Sequence, residues 1–182
     1  MQINNIEIKV RIADADKARR AIETLADGPA EVLEQKDTYF NAGNEAYLKL
    51  REELAQAGHR HASLVAYRRD RRAEPRPSDI RLVRIDRPDE LHEALAHALG
   101  TLVVVDKIRR LYFRGQTRIH LDEVDRLGAF LELEVVLEPG QTEADGLRIA
   151  NDLLDDLNLV GSQAQTESYR DLLLKAENAL DQ

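Results

Sequence analysis

From Ile3 to Ile12 the chain alternates without a break, with Ile6, Ile8, Val10 and Ile12 on one parity and Asn5, Glu7, Lys9 and Arg11 on the other. A period of two puts successive side chains on opposite faces of a strand, so this stretch predicts one apolar and one charged face. The apolar positions then switch to helical spacing. Ala18, Ala21, Ile22 and Leu25 form a stripe behind Asp14 or Asp16 as the cap, and Gly28-Pro29 stops the helix. Two further runs, Glu31 to Phe40 and Glu45 to Glu52, flank Asn41-Ala42-Gly43-Asn44, which is hairpin turn chemistry. In the second run Tyr47, Lys49 and Arg51 share a face opposite Leu48 and Leu50, and a strand from about His61 to Arg69 follows with Arg68 at its far end.

The same order then begins again. A strand near Asp79 to Ile85 leads into a helix that accepts Pro88 in its first turn, carries Leu91, Ala94, Leu95, Ala98 and Leu99 as its stripe, and ends at Gly100. Three strands ending near Phe113, Val124 and Leu137 complete the second pass. Strand, helix and three strands thus occur twice, a weak internal duplication of a four-stranded unit. Eight mostly antiparallel strands are enough to close a barrel around one small ligand. A helix capped by Thr142 and running to about Leu157, and a last helix from about Ser168, are expected outside it. With helices covering the apolar faces, the charged faces would line the interior. The predicted class is α+β, a single domain over residues 1–182.

Three strands of the second pass sharpen the chemistry. Lys107 and Arg109 lie two apart on the first, His120 and Asp122 on the second, and Glu132 and Glu134 on the third. Cations facing carboxylates suit a polyphosphate together with the divalent metal that neutralises it. The alternative is a water-facing sheet with cross-strand ion pairs, each worth a few tenths of a kcal/mol.

Composition narrows the partners. The 26 Lys and Arg stand against 34 Asp and Glu, a net charge of −8, which argues against a general nucleic-acid or anionic-membrane binder and makes any basic site local. Cysteine is absent, which excludes disulfides, thiolate metal sites and a thiol nucleophile. Aromatic residues make up 4%, a poor supply of base-stacking platforms. The N-terminus lacks the basic and apolar regions of a secretory signal, and the longest apolar run, Leu102 to Val105, is far below the ~20 residues of a membrane span. A cytoplasmic protein is expected, and the sequence does not decide whether it forms a homodimer.

Seven motifs in order carry a resemblance. They are Glu7-Ile8-Lys9 with Arg11, Gln35-Lys36-Asp37-Thr38-Tyr39-Phe40, Leu48-Lys49-Leu50-Arg51-Glu52, Lys107-Ile108-Arg109, His120-Leu121-Asp122, Leu127-Gly128-Ala129-Phe130-Leu131-Glu132, and Ser168-Tyr169-Arg170-Asp171-Leu172-Leu173. Together they resemble the CYTH superfamily, the triphosphate tunnel enzymes, and within it the class IV adenylyl cyclase branch. The resemblance implies an eight-stranded antiparallel barrel whose tunnel holds a triphosphate-containing small molecule, such as ATP or an inorganic or organic triphosphate. It further implies that Lys9, Arg11, Arg51, Arg68, Lys107 and Arg109 grip phosphate oxygens, and that Glu7, Asp122, Glu132 and Glu134 hold Mg²⁺ or Mn²⁺, with Glu7, Asp122 and Glu132 catalytic. The family includes cyclases and triphosphatases, so the reaction stays open between ATP cyclisation and triphosphate hydrolysis. One departure bears on both. The family signature opens Glu-x-Glu-x-Lys, whereas this chain reads Asn5-Ile6-Glu7-Ile8-Lys9, a neutral amide in place of the first carboxylate. That departure keeps a non-catalytic polyphosphate or nucleotide binder in view.

Other features have two readings. The segment Arg69 to Ser78, with four arginines and two prolines, is either a basic lid or a solvated loop. His59 and His61 read as surface histidines rather than a metal pair. His120 shares a face with Asp122 and Arg118 and serves either as acid or base or as a structural hydrogen-bonding group.

Overall fold

The computed structural model describes residues 5–43, 46–68, 80–159 and 164–180. Eight strands and four helices follow the predicted order: β1 (Asn5–Ile12), α1 (Ala15–Leu25), β2 (Glu31–Phe40), β3 (Ala46–Ala55), β4 (Arg60–Arg68), β5 (Arg81–Arg84), α2 (Pro88–Leu99), β6 (Thr101–Arg114), β7 (Thr117–Val124), β8 (Gly128–Val136), α3 (Glu143–Asp156) and α4 (Tyr169–Leu180). The strands form one sheet in the order β1-β8-β7-β6-β2-β3-β4-β5. Pairings β1 with β8, β8 with β7, β7 with β6, β3 with β4 and β4 with β5 are antiparallel. No ladder joins the end strands β1 and β5 among the described residues, so the closure expected of a barrel is not made there by backbone hydrogen bonds. The expectation for Arg69 to Ser78 lies outside the described residues. No helix among the described residues is long and apolar enough to cross a membrane.

Two compact units divide the chain. The first comprises residues 1–33 and 107–167, the second residues 34–106 and 168–182. Each draws on both passes of the duplicated pattern. The first combines β1 and α1 of the first pass with the end of β6, β7 and β8 of the second.

In the first unit the even positions of β1 meet the odd positions of β8 and β7 on one side of the sheet. Val10, Ile119, Leu121, Leu131, Leu133 and Val135 are almost fully buried there. Ile22 of α1 and Ala150, Leu153 and Leu154 of α3 cover them. Each large aliphatic side chain removed from water in this way contributes about 1.5–3 kcal/mol. The helices begin where the sequence places them. The Asp14 carboxylate accepts from the Lys17 N–H at 2.8 Å, and Thr142 and Asp145 form a reciprocal capping box at the start of α3.

Two turns set the register of the opposite, charged face. Gly115, at φ 53°, opens the two-residue link that pairs Arg114 with Thr117. Gly128, at φ 88°, closes the three-residue link that pairs Val124 with Gly128. The second turn fixes Phe130, Glu132 and Glu134 on the same face as Asp122, His120 and Arg118, their direct partners in that order. A slip of one residue would send all three to the apolar side.

In the second unit Tyr39, Phe40, Leu50, Val103, Val105, Tyr169 and Leu173 are buried. The α2 helix, with Pro88 in its first turn and Gly100 at its end, brings His92 within 6.1 Å of the Phe40 ring. The first turn of α4 begins on the charged face: Arg170 lies over the rings of Tyr47 at 4.7 Å and Tyr39 at 5.9 Å.

Gly146 marks the closest approach of α3 to the sheet. A Cβ there would stand 2.6 Å from Ile6 Cγ1 and 2.7 Å from Leu137 Cδ2. Gly146→Val is therefore expected to destabilise the protein by about 1–3 kcal/mol through overpacking, measured as a lowered urea midpoint with an unchanged slope.

Candidate functional site

Four strands of the first unit bring their charged positions onto one face in rows set by the register. Glu7, Glu134, Arg118 and Phe113 make one row, Lys9, Glu132, His120 and Leu111 the next, and Arg11, Phe130, Asp122 and Arg109 the third. Lys107 lies beyond, opposite Val124.

Asp122 is the fixed point. It is fully buried, and both its oxygens are engaged: Arg109 Nε donates to Oδ1 at 2.7 Å, Arg109 Nη2 to Oδ2 at 2.6 Å, and Lys107 Nζ to Oδ2 at 3.3 Å. This bidentate fork belongs to the strong, charge-assisted class. Glu132 is held more loosely. Its Oε2 lies 4.0 Å from Lys9 Nζ and 3.8 Å from Arg109 Nη2, and its Oε1 lies 3.4 Å from His120 Nδ1. Burial works to raise the Glu132 carboxyl, but the hydrogen bond from His120 and the charges of Arg109, His120 and Lys9 overrule it and hold it at about 2. Lys9 Nζ also donates to the Glu167 carbonyl at 3.3 Å.

Glu134 is compensated on two sides. Asn5 Nδ2 donates to its Oε1 at 2.9 Å, and Arg118 Nη1 stands 3.1 Å from its Oε2. Glu7 differs from both. It makes no hydrogen bond or ion pair with a described residue, and its carboxyl is raised, first by desolvation and then by repulsion from Glu132, with Glu134 adding to it and Lys9 opposing. The side chain nevertheless keeps an exposed surface, so the carboxylate repulsion is the firmer of the two causes. Arg11 is turned to the end of the face, where it donates to the Leu127 carbonyl and lies 5.3 Å over the Phe130 ring.

Of the expected site residues, the first unit thus gathers Lys9, Lys107, Arg109, Asp122 and Glu132, with Glu7 and Glu134 in the neighbouring row. Arg51 belongs to the second unit, and Arg68 ends β4 there with its side chain outside the described residues. Arg51 sits in a second fork. Its Nε and Nη2 donate to Asp37 Oδ1 and Oδ2 at 2.6 and 2.7 Å, and Lys49 Nζ donates to Oδ2 at 2.7 Å. Asp37 is buried, like Asp122. Lys49 and Asp37 were not among the expected ligands; the recurrence of Lys-Leu-Arg at residues 49–51 and Lys-Ile-Arg at 107–109 marks Lys49 as the counterpart of Lys107, but nothing in it points to Asp37. Lys49 also lies 5.5 Å over Tyr39, and Tyr47 stacks on Tyr67 at 4.9 Å.

Basic side chains fixed by buried carboxylates, beside further carboxylates in mutual repulsion, are suited to an anion that brings its own cations. The family model for the CYTH domain matches residues 4–169. This chain belongs to the CYTH family. It is 28% identical over 184 residues to adenylate cyclase CyaB of Aeromonas hydrophila, covering 92% of this chain and 87% of that protein. The PH1012 protein of Pyrococcus horikoshii shares the fold with a TM-score of 0.72 at 23% identity, over 93% of this chain and 99% of that one. HpAC1 of Hippeastrum, for which a dominant triphosphatase activity is described, does so with a TM-score of 0.61 at 16% identity, over 96% of each chain.

Two outcomes follow for this CYTH chain. Asp122→Asn leaves Lys107 and Arg109 beside a neutral amide, and is expected to cost about 3 kcal/mol of unfolding free energy in urea. Glu132 has a folded pKa of about 2 against a reference of 4.5, so its contribution is full above pH 4.5 and is lost as pH falls towards 2. That contribution is about 3 kcal/mol. Between pH 4.5 and 2 the wild-type urea midpoint should fall more steeply than that of Glu132→Gln, and equal slopes would refute the assignment.

Proposed function

We propose that the chain is a metal-dependent triphosphate enzyme that converts ATP to cyclic AMP and pyrophosphate. The observation that carries this reading is the face on which Lys9, Lys107 and Arg109 stand beside Glu7 and Glu132. The relative named adenylate cyclase CyaB supports the choice of reaction.

The distances indicate which contacts a triphosphate can replace. The Arg109 fork to Asp122 at 2.6–2.7 Å is tight, whereas the ion pairs of Lys9 and Arg109 with Glu132, at 4.0 and 3.8 Å, lie at the limit of contact. Phosphate oxygens therefore exchange with the loose pairs, while Asp122 continues to orient Arg109 and Lys107. Arginine offers a planar fork to phosphate, and lysine a point charge. Arg51, held by Asp37 in the second unit, and Arg68 are assigned to phosphate by motif position.

Among the described residues no three Asp, Glu or His side chains converge as a metal cage. Mg²⁺ commonly binds through one or two carboxylates plus substrate phosphates, and an oxygen donor pair such as Glu7 and Glu132 fits that habit. A divalent cation held there supplies charge neutralisation and makes the attacking hydroxyl more acidic. The rest of the work is positioning. With the triphosphate anchored by Lys9, Lys107 and Arg109, the ribose 3′-hydroxyl gives up its proton to solvent and its oxygen bonds to the α-phosphorus as the bond to the β-phosphate oxygen breaks. Pyrophosphate leaves, its charge met by the same cations. If water reaches the terminal phosphorus instead, the same residues support triphosphate hydrolysis. The bond between Asn5 and Glu134 favours a second reading, a binder without turnover.

Incubation with ATP or inorganic triphosphate in Mg²⁺ or Mn²⁺, resolving cyclic AMP, pyrophosphate and orthophosphate, decides among these. The expected result is metal-dependent cyclic AMP and pyrophosphate, reduced at least about 100-fold in Glu132→Gln, the scale of losing one preorganised electrostatic group. Orthophosphate alone would establish a triphosphatase, and binding without product would establish the second reading.

A further inference from the structure

Four carboxylates share the charged face of the first unit, and their partners divide them. Asp122 is saturated by Arg109 and Lys107. Glu134 receives Asn5 Nδ2 at 2.9 Å and faces Arg118 at 3.1 Å, so both of its oxygens are engaged and its charge is matched by a guanidinium. Glu132 is balanced by Lys9, Arg109 and His120 at 3.4–4.0 Å, contacts loose enough to rearrange. Glu7 makes no hydrogen bond or ion pair with a described residue and is repelled by Glu132 and Glu134.

We infer that the neutral amide of Asn5 sets the cation count of this site: it donates to Glu134, which Arg118 already neutralises, and adds no charge of its own, leaving Glu7 and Glu132 to hold a single divalent cation on the bound triphosphate. This inference rests on the triphosphate reading above. The physical basis is a change of donor type at one position. An amide at residue 5 donates through its N–H₂ to Glu134 and adds no negative charge. A carboxylate at residue 5 could only accept, so it would repel Glu134 and Glu7. A carboxylate at residue 5 would then stand beside Glu7 and Glu132 as a third charged oxygen ligand and attract a second cation, because hard divalent cations follow the number of charged oxygen ligands.

Electron paramagnetic resonance of free Mn²⁺, titrated into the full chain saturated with a non-hydrolysable methylene analogue of ATP, counts bound cations without turnover. Wild type is expected to bind one Mn²⁺ per complex and Asn5→Asp two, while Asn5→Ala stays at one because Arg118 still holds Glu134. If Asn5→Asp does not fold, judged by circular dichroism, Arg118→Met releases Glu134 from its other side and is expected to raise the count to two. Two Mn²⁺ in wild type, or one in both Asn5→Asp and Arg118→Met, would overturn the inference and leave the triphosphate reading standing. No bound Mn²⁺ in a wild-type complex would overturn both.

Discussion

A buried carboxylate clamped by a lysine and an arginine is the interaction on which the charged face of the first unit depends. Asp122 is removed from water altogether, a position an ionised group holds only with strong partners. Its fork with Arg109 fixes the guanidinium plane and sets the reach of Arg109 Nη2 to Glu132. Lys107 is drawn to the same oxygen. The fork in turn requires the β6 to β7 register that places Arg109 opposite Asp122, which the two-residue turn at Gly115 establishes. The three-residue turn ending at Gly128 extends the same alignment to Glu132.

Asp37 with Lys49 and Arg51 repeats the arrangement in the second unit, with the same arginine fork distances and a shorter lysine contact, 2.7 Å against 3.3 Å. The strand order differs. In the first unit the Lys-x-Arg strand precedes the aspartate strand, whereas in the second it follows. The two forks are thus not images of each other under the sequence duplication. What they share is the chemistry of holding two cations side by side without an external anion. Such preorganisation lets a multivalent anion meet its partners already oriented, without the entropic cost of ordering long side chains.

Strength of contact also separates roles among the carboxylates. Short, doubly engaged partners mark Asp122 and Asp37 as groups that position cations. Contacts near 4 Å mark Glu132 as a group that can exchange partners, and at Glu7 the repulsion from Glu132 and Glu134 is only partly offset by Lys9 and His120, so added positive charge is favourable there. The family resemblance grouped Glu7, Asp122, Glu132 and Glu134 together by motif position, without separating these roles.

Local patterns along the chain specify the elements. Unbroken alternation in β1, the Pro88 and Gly100 bounds of α2, the Thr142 cap of α3 and the strand-helix-strand order read twice were all legible, because local periodicity and capping act over a few residues. The same patterns specify which residues share a strand face, since period two leaves no choice: Glu7 with Lys9, Lys107 with Arg109, His120 with Asp122. Which faces meet depends on contacts between distant strands. Each compact unit combines the strand and helix of one pass with the three strands of the other, a pairing that the duplication in sequence does not contain. Only that pairing turned Arg11 to the Leu127 carbonyl and joined Asn5 to a carboxylate 129 residues away. Register between distant strands is set by the summed burial of both faces, and no single stretch of the chain carries that information.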